Sequence, residues 1–290
     1  MGKYYLKDLL LELFGEDYKI DRRLYGGMMN RSYLIVVNGD EKYLCYVPNG
    51  NANKMVDRQI ERDNTHIFES LGLTSKTIYF DFKRGIKVKE YIEGKSLDNL
   101  KEYDINKVSN LLHRIHDSKR LAPNDYNPFA RLGIYENMAL DYAPETNTYR
   151  HLKDFLAVNH STLQVKHKVL SHNDFQKSNI LCDEDGEYCI IDFEFVGNND
   201  EVYDIAAFAN GSLEEGEELL KVYFNGNPPL TAWRRFYLWR IFISLQWSCF
   251  ATIKHYSNEG KAHKFNFLLV RDHFLEIGNQ AKEKFEKLPK

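Results

Sequence analysis

The stretch VLSHNDFQKSNILCDEDGEYCIIDFEF, residues 169–195, decides the fold. It holds a His-x-Asp (His172, Asp174), an Asn five residues past that Asp (Asn179), and an Asp inside an apolar run (Asp192). Asp183, Glu184, Asp185 and Gly186 form a turn signal between two apolar runs, so a β-hairpin is expected. With the turn centred there, Asn179 lies opposite Ile190. Residues two apart share a strand face, which makes Asp192 the diagonal neighbour of Asn179, about 7 Å away. An amide oxygen and a carboxylate converging on one point suit Mg²⁺, a hard cation completed by waters and substrate phosphates. An unpartnered carboxylate in an apolar strand is costly, and a bound cation supplies the partner. Glu194 shares that face and is a further carboxylate candidate. Asp174, in the loop ahead, is placed to accept or orient a hydroxyl proton beside metal-bound phosphates. His172 reads as a satisfied core histidine.

Outward from this segment, the first 92 residues read as a helix and then strands. Leu6, Leu9, Leu10, Leu13 and Phe14 recur at helical spacing. Strand-like runs follow in DRRLYGG, SYLIVVNG and KYLCYVP, then a charged helix in MVDRQIERDNTHIFESLG, then two more strands in TIYFDFKRGIKVKEYI. From Glu93 onward helical patterns dominate. The expected fold is α+β with two lobes: residues 1–92, a small antiparallel sheet that binds nucleotide, and residues 93–290, mainly helical, with the catalytic loop and acceptor site. A cleft between lobes is a preferred ligand site.

Composition bounds the classes. With 43% hydrophobic and 28% charged residues the chain can bury a core, which excludes a disordered protein. A formal net charge of −3 lacks the basic footprint of a nucleic-acid binder. Cys45, Cys182, Cys189 and Cys249 show no CxxC spacing and read as free thiols. The first residues lack the apolar core of a signal peptide, and Leu6 stands where a myristoylation motif needs Ser or Thr. The run 236–253 carries Arg240 and Gln246, so a buried helix is expected in place of a membrane span. A cytoplasmic protein without membrane or nucleic-acid partners is the expectation.

The segments HNDFQKSNIL and IIDFEF, with GGMMNRSYLIV, VDRQIERDN, GIKVKEYIEG, LLHRIHDS and VYDIAAF, resemble the choline kinase and aminoglycoside phosphotransferase families, the bacterial choline kinases above all. The resemblance spans both lobes and implies a protein-kinase-like fold that uses ATP and Mg²⁺. It implies Asp174 as the catalytic Asp, Asn179 and Asp192 as Mg²⁺ ligands, and Glu61 as the helix glutamate. Gly26, Gly27 and Asn30 fall on the phosphate-covering turn. Glu90, Tyr91 and Ile92 fall on the hinge that meets adenine. Asp204 falls on a second structural Asp, which reads locally as a helix cap.

Two departures stand out. Where the family has a strand Lys or Arg that grips the phosphates and pairs with the helix glutamate, this chain has Tyr46. A phenol is neutral at pH 7, and losing one charge-assisted contact weakens nucleotide binding by about 1.5 to 3 kcal/mol. Lys42, on the strand face of Tyr46, and Arg31 are candidate substitutes. The acidic residue that follows the DIA segment in choline kinases is absent from FANGS, and Glu214 comes only later. The resemblance places the aromatic cage for a quaternary ammonium at Phe195, Trp247 and Phe250. The spacing of Trp233, Phe236, Trp247 and Phe250 also reads as a core stripe. The expected activity is ATP-dependent phosphorylation of the hydroxyl of choline, ethanolamine or a related amino alcohol. The alternatives are an aminoglycoside or other metabolite hydroxyl as acceptor, a nucleotide-binding pseudokinase because of Tyr46, and a metal-dependent hydrolase built on His172 and Asp174.

Overall fold

The computed structural model describes residues 3–24, 30–48, 56–257 and 266–289. The chain divides into two compact units, Met1–Lys95 with Leu181–Phe195, and Ser96–Ile180 with Val196–Lys290. Leu181–Phe195, expected within residues 93–290, thus groups with residues 1–95, while residues 169–180 stay in the second unit.

In the first unit, helix α1 (Lys3–Phe14) precedes strands β1 (Tyr18–Leu24), β2 (Asn30–Val37) and β3 (Glu41–Pro48). Helix α2 (Arg58–Ser70) intervenes before β4 (Thr77–Asp81) and β5 (Ile86–Glu90). These strands form an antiparallel sheet in the order β1-β2-β3-β5-β4. Side chains alternate between faces along each strand. Ile35, Val37, Cys45, Ile86 and Val88 share one face and pack against Leu9 and Leu10 of α1. Leu34, Tyr46, Lys87 and Lys89 occupy the other, next to α2, whose N-terminus is capped by the Asp57 carboxylate accepting from the Gln59 and Ile60 amides. A sheet covered on both sides buries its polar positions too, and Lys87 and Lys89 are 5% and 6% exposed.

Strand β6 (Gly94–Ser96) pairs with β8 (Ile180–Asp183), which pairs with β9 (Tyr188–Ile190). The Asp183 carboxylate closes the β8–β9 turn by accepting from the amides of Asp185 (3.1 Å) and Glu187 (2.8 Å). The Ile190 amide donates to the Leu73 carbonyl at 2.8 Å, and Phe193 packs on Phe68 with centroids 4.9 Å apart. Gly94 lies against β8: a Cβ there would stand 2.3 Å from the Cys182 carbonyl oxygen. Gly94→Ala is therefore expected to destabilise the protein by about 1 to 3 kcal/mol, as backbone must shift to admit a methyl. Urea denaturation measures this.

The second unit contains α3 (Ile105–His116), α4 (Pro128–Leu140), α5 (Asn147–Asn159), and a two-stranded antiparallel ribbon of β7 (Val169–Ser171) and β10 (Gly197–Asn199). Helices α6 (Glu201–Phe208), α7 (Leu213–Tyr223), α8 (Leu230–Tyr256) and α9 (Phe267–Glu286) follow. Helix α8 is buried along most of its length, Arg240 completely. Among the described residues no helix is long and apolar enough to cross a membrane. All four cysteines are free, with Cys45 and Cys249 buried.

Candidate active site

The catalytic-loop candidate runs from the end of β7 to a 3₁₀ turn at Lys177–Asn179. Asn173 adopts a left-handed backbone, φ 62°, which Asn tolerates better than most residues. It is buried, and its amide nitrogen donates to the carbonyls of Ser171 and Gly197 while its oxygen accepts from Asn199 at 2.8 Å. The fully buried Asp204 carboxylate accepts the backbone N–H groups of His172 (2.8 Å) and Asn173 (2.7 Å), and lies 3.2 Å from His116 Nε2. Asp204 is therefore not a helix cap. Asp200 caps α6 by accepting from Val202, and Asp204, one turn later, clamps the loop.

Asp174 follows this clamp and is half-buried. Its Oδ2 accepts from Asn179 Nδ2 at 2.8 Å and from Gln176 Nε2 at 3.2 Å. Asn179 Nδ2 also donates to the Asp174 carbonyl at 2.9 Å, so the amide oxygen of Asn179 is turned to other uses. Gln176 Oε1 accepts from Asn210, whose own oxygen accepts from Arg240, so a hydrogen-bonded chain runs from Asp174 into the core of the unit. The acidic residue near this loop is Glu215, not Glu214. It pairs with Lys177 and accepts from the Tyr103 hydroxyl at 2.9 Å, while Glu214 accepts from Ser212.

The first unit carries a second cluster. Asp192 lies beyond the end of β9 with φ 69°. Neither Asp192 nor Asn179 is a strand residue, so the shared ladder expected from the sequence is not formed: Asn179 ends the 3₁₀ turn and Asp192 sits in a left-handed bend. Asp192 Oδ1 is buried and receives no hydrogen bond from the described residues. Burial first, then the neighbouring Glu194 carboxylate, pushes the Asp192 carboxyl up to about 7. Glu194 Oε1 accepts from Arg58 Nη1 (2.9 Å) and Asn30 Nδ2 (3.0 Å). Glu61, on α2, is 1% exposed; Oε2 accepts from Arg58 (2.6 Å) and Oε1 from Lys87 Nζ (2.5 Å). Burial opposes its ionisation, yet Lys87 and Arg58 outweigh it and hold the Glu61 carboxyl below the usual range. Glu61, Asp192 and Glu194 thus lie in one buried cluster with Arg58 and Lys87, and Lys89 shares the sheet face of Lys87. A buried carboxylate oxygen with no donor among the described residues fits a hard divalent cation. Among the described residues no three His, Cys, Asp or Glu side chains gather as a metal group.

Tyr46 is half-buried, and burial pushes its phenol up to about 12, so it remains neutral at physiological pH. Of its suggested substitutes, Lys42 is exposed and paired with Glu93, and Arg31 is exposed. The strand cation on Glu61 is Lys87, beside Arg58 of the same helix as Glu61. Its signal was the alternation in IKVKE, which sets Lys87 and Lys89 on one strand face but ordinarily means that the lysines face solvent. In the hinge stretch, both backbone groups of Glu90 are bonded, to Lys76 and Ser75, and the Tyr91 amide donates to Lys42. Among the described residues the backbone of Ile92 makes no hydrogen bond. Gly26 and Gly27 lie outside the described residues. Trp247 and Phe250 meet edge to face, centroids 5.4 Å apart. Trp247 also stacks on Phe274 of α9, and Lys254 Nζ lies 5.4 Å from the Phe250 centroid. Phe195 is half-buried at the end of the hairpin segment, in the first unit.

An antiparallel sheet backed by a helix whose glutamate grips a strand lysine, with an Asp–Asn loop in a helical unit, is the protein-kinase-like phosphotransferase fold. The choline/ethanolamine kinase family profile matches residues 22–214, more than half of the chain, and the chain belongs to that family. It is 26% identical over 212 residues to protein LicA of Haemophilus influenzae, a match covering 69% of this chain and 61% of that protein. Its structure is similar to that of choline kinase LicA from Streptococcus pneumoniae, with a TM-score of 0.75 at 23% identity over 98% of each chain. It is also similar to spectinomycin phosphotransferase, with a TM-score of 0.67 at 14% identity over 98% and 99% of the chains.

Proposed function

We propose that this chain transfers the γ-phosphoryl group of ATP to the hydroxyl of a small amino alcohol, choline or ethanolamine. The observation that carries the reading is the Asp174 carboxylate, half-buried and held at 2.8 Å by Asn179 in a loop clamped from below by Asp204. Membership of the choline/ethanolamine kinase family supports it, as do a LicA structure in complex with AMP and the spectinomycin phosphotransferase structure in complex with ADP.

Asp174 orients the acceptor hydroxyl and takes its proton as the oxygen attacks the γ-phosphorus and the bond to the β-phosphate oxygen breaks. Asn179 positions Asp174 with its amide nitrogen and keeps its oxygen for metal; Asp192 offers its orphaned Oδ1. These two residues would hold Mg²⁺, which neutralises charge on the phosphates when bound. Glu61, Tyr46 and Asn30 line the nucleotide side, with Gly27 of the phosphate-covering turn. The hinge stretch Glu90, Tyr91 and Ile92 meets adenine. Trp247 and Phe250 are the aromatic candidates for a cationic acceptor, at about 0.5 to 2 kcal/mol per contact, and the family resemblance adds Phe195 as a third candidate.

The test is ADP release with ATP and Mg²⁺ over a panel of choline, ethanolamine, aminoglycosides and sugars. Turnover on an amino alcohol is expected, falling by about a hundredfold or more in Asp174→Ala while ATP binding is kept. Turnover on an aminoglycoside alone would replace the acceptor. No turnover on any of them, with ATP still raising the melting temperature, would make the chain a nucleotide-binding pseudokinase.

A further inference from the structure

Tyr46 on β3 and Lys87 on β5 are register partners in the antiparallel ladder. We propose that Lys87 supplies, from β5, the positive charge that contacts the nucleotide phosphates, and that Tyr46 is its support. This assignment rests on the kinase reading above.

Reach is the first argument. Directly opposed residues of an antiparallel pair have Cβ atoms about 4.5 to 5.5 Å apart, less than a lysine's four-carbon stem can cover. A lysine at either position can bring its ammonium to the same point above the sheet. Lys87 does so: its Nζ lies 2.5 Å from Glu61 Oε1 on α2 and 4.8 Å from the centre of the Tyr46 ring.

The environment is the second. Lys87 is 5% exposed, yet it stays charged: burial opposes the charge, and Glu61, Asp192 and Glu194 together outweigh burial and push its pKa up. The other cations of β2, β3 and β5 lack these properties. Lys42 is exposed and committed to Glu93, and Arg31 is exposed. Lys89 is directed to Thr74 Oγ1 at 3.1 Å and to the Phe193 ring, and burial followed by the Lys87 charge pushes it down to about 7.

Tyr46 then has a reason to be a tyrosine. Its ring gives the ammonium a face to rest on. A lysine at position 46 would instead set two ammonium groups side by side. Glu61 is also held by Arg58 through its second oxygen, so Lys87 can share its protons with a phosphate without leaving Glu61 unpaired.

Calorimetric titration of ATP, ADP and adenosine into wild type and Lys87→Met tests this. The variant is expected to lose about tenfold or more in affinity for ATP and ADP and less than about twofold for adenosine, as expected for one lost charge-assisted contact. Unchanged ATP affinity overturns the assignment. An equal loss for adenosine and ATP also overturns it, because that pattern means Lys87 only shapes the lobe. Should Lys87→Met fail to fold, the exchange Tyr46→Lys with Lys87→Tyr decides. ATP binding within about fivefold of wild type supports an interchangeable charge, and a folded exchange variant that binds adenosine but not ATP overturns it. Wild type that binds no ATP removes the kinase reading itself, a result distinct from the others.

Discussion

Asp192→Asn is expected to lower turnover by about a thousandfold while raising the melting temperature of the metal-free protein at pH 8. On the proposed reading, the first effect follows from weakening the residues that would hold Mg²⁺, the charge that would offset the transferring phosphoryl, and losing one such electrostatic contribution costs about 10² to 10³ in rate. The second follows from the energetics of the resting cluster. Burial and Glu194 raise the folded-state pKa of Asp192 from the ordinary carboxylate value to about 7. Between pH 3.8 and about 7 the native state therefore binds more protons than the unfolded chain, and the stability tied to this group falls as pH rises through that window. At pH 8 the carboxylate is ionised, half-buried and without a donor on Oδ1, and an amide of the same shape removes that penalty. The gain in melting temperature should shrink toward pH 4, where aspartate is protonated in the native state too. Scanning calorimetry at pH 8 and pH 4.5, with and without Mg²⁺ and nucleotide, reads both effects. A melting temperature lower than wild type at pH 8 would mean that the attraction of Asp192 to Lys87 and Arg58 outweighs its desolvation.

Asp204→Ala is expected to be the most destabilising single change considered, at about 3 to 6 kcal/mol. It removes the acceptor for two buried backbone N–H groups and leaves His116 Nε2 without its carboxylate. Each orphaned buried donor costs about 1 to 3 kcal/mol, and a domain has about 5 to 15 kcal/mol in total. Asp204→Asn keeps an acceptor oxygen for one N–H and should lose roughly half as much. Hydrogen exchange at the His172 and Asn173 amides separates loop release from global unfolding: in Asp204→Asn these two amides should exchange faster than their neighbours. Activity should fall further than stability, because Asp174 is the next residue in the chain.

The hairpin shows how far local signals reach. The turn residues Asp183 and Gly186 do what their chemistry implies, with the aspartate accepting from two amides and the glycine taking φ 78°. The helix α1 stripe and the burial of the 236–253 run were equally legible, since periodicity reports which face of a helix is covered. The ladder drawn between Asn179 and Asp192 was not correct. A register argument assumes that strand geometry continues, and here a 3₁₀ turn and a left-handed residue end it on both sides. Asp174, Asn179, Asp192 and Glu61 could be singled out because they sit at fixed spacings in contiguous segments. Asn173 and Asp204 were undervalued because their partners are backbone groups 24 to 32 residues away.

The α+β character, the Asp174–Asn179 loop and the absence of a cation at position 46 are legible along the chain, because each is set by sequence neighbours. Arg58 reaches Glu61 within one helix, but which strand cation joins it depends on the pairing of distant strands. Tyr46 and Lys87 become neighbours only when β5, reached after α2 and β4, returns to pair with β3. That pairing is non-local, and burial on both faces of the sheet turns an ordinary solvent-facing lysine pattern into a buried ion pair.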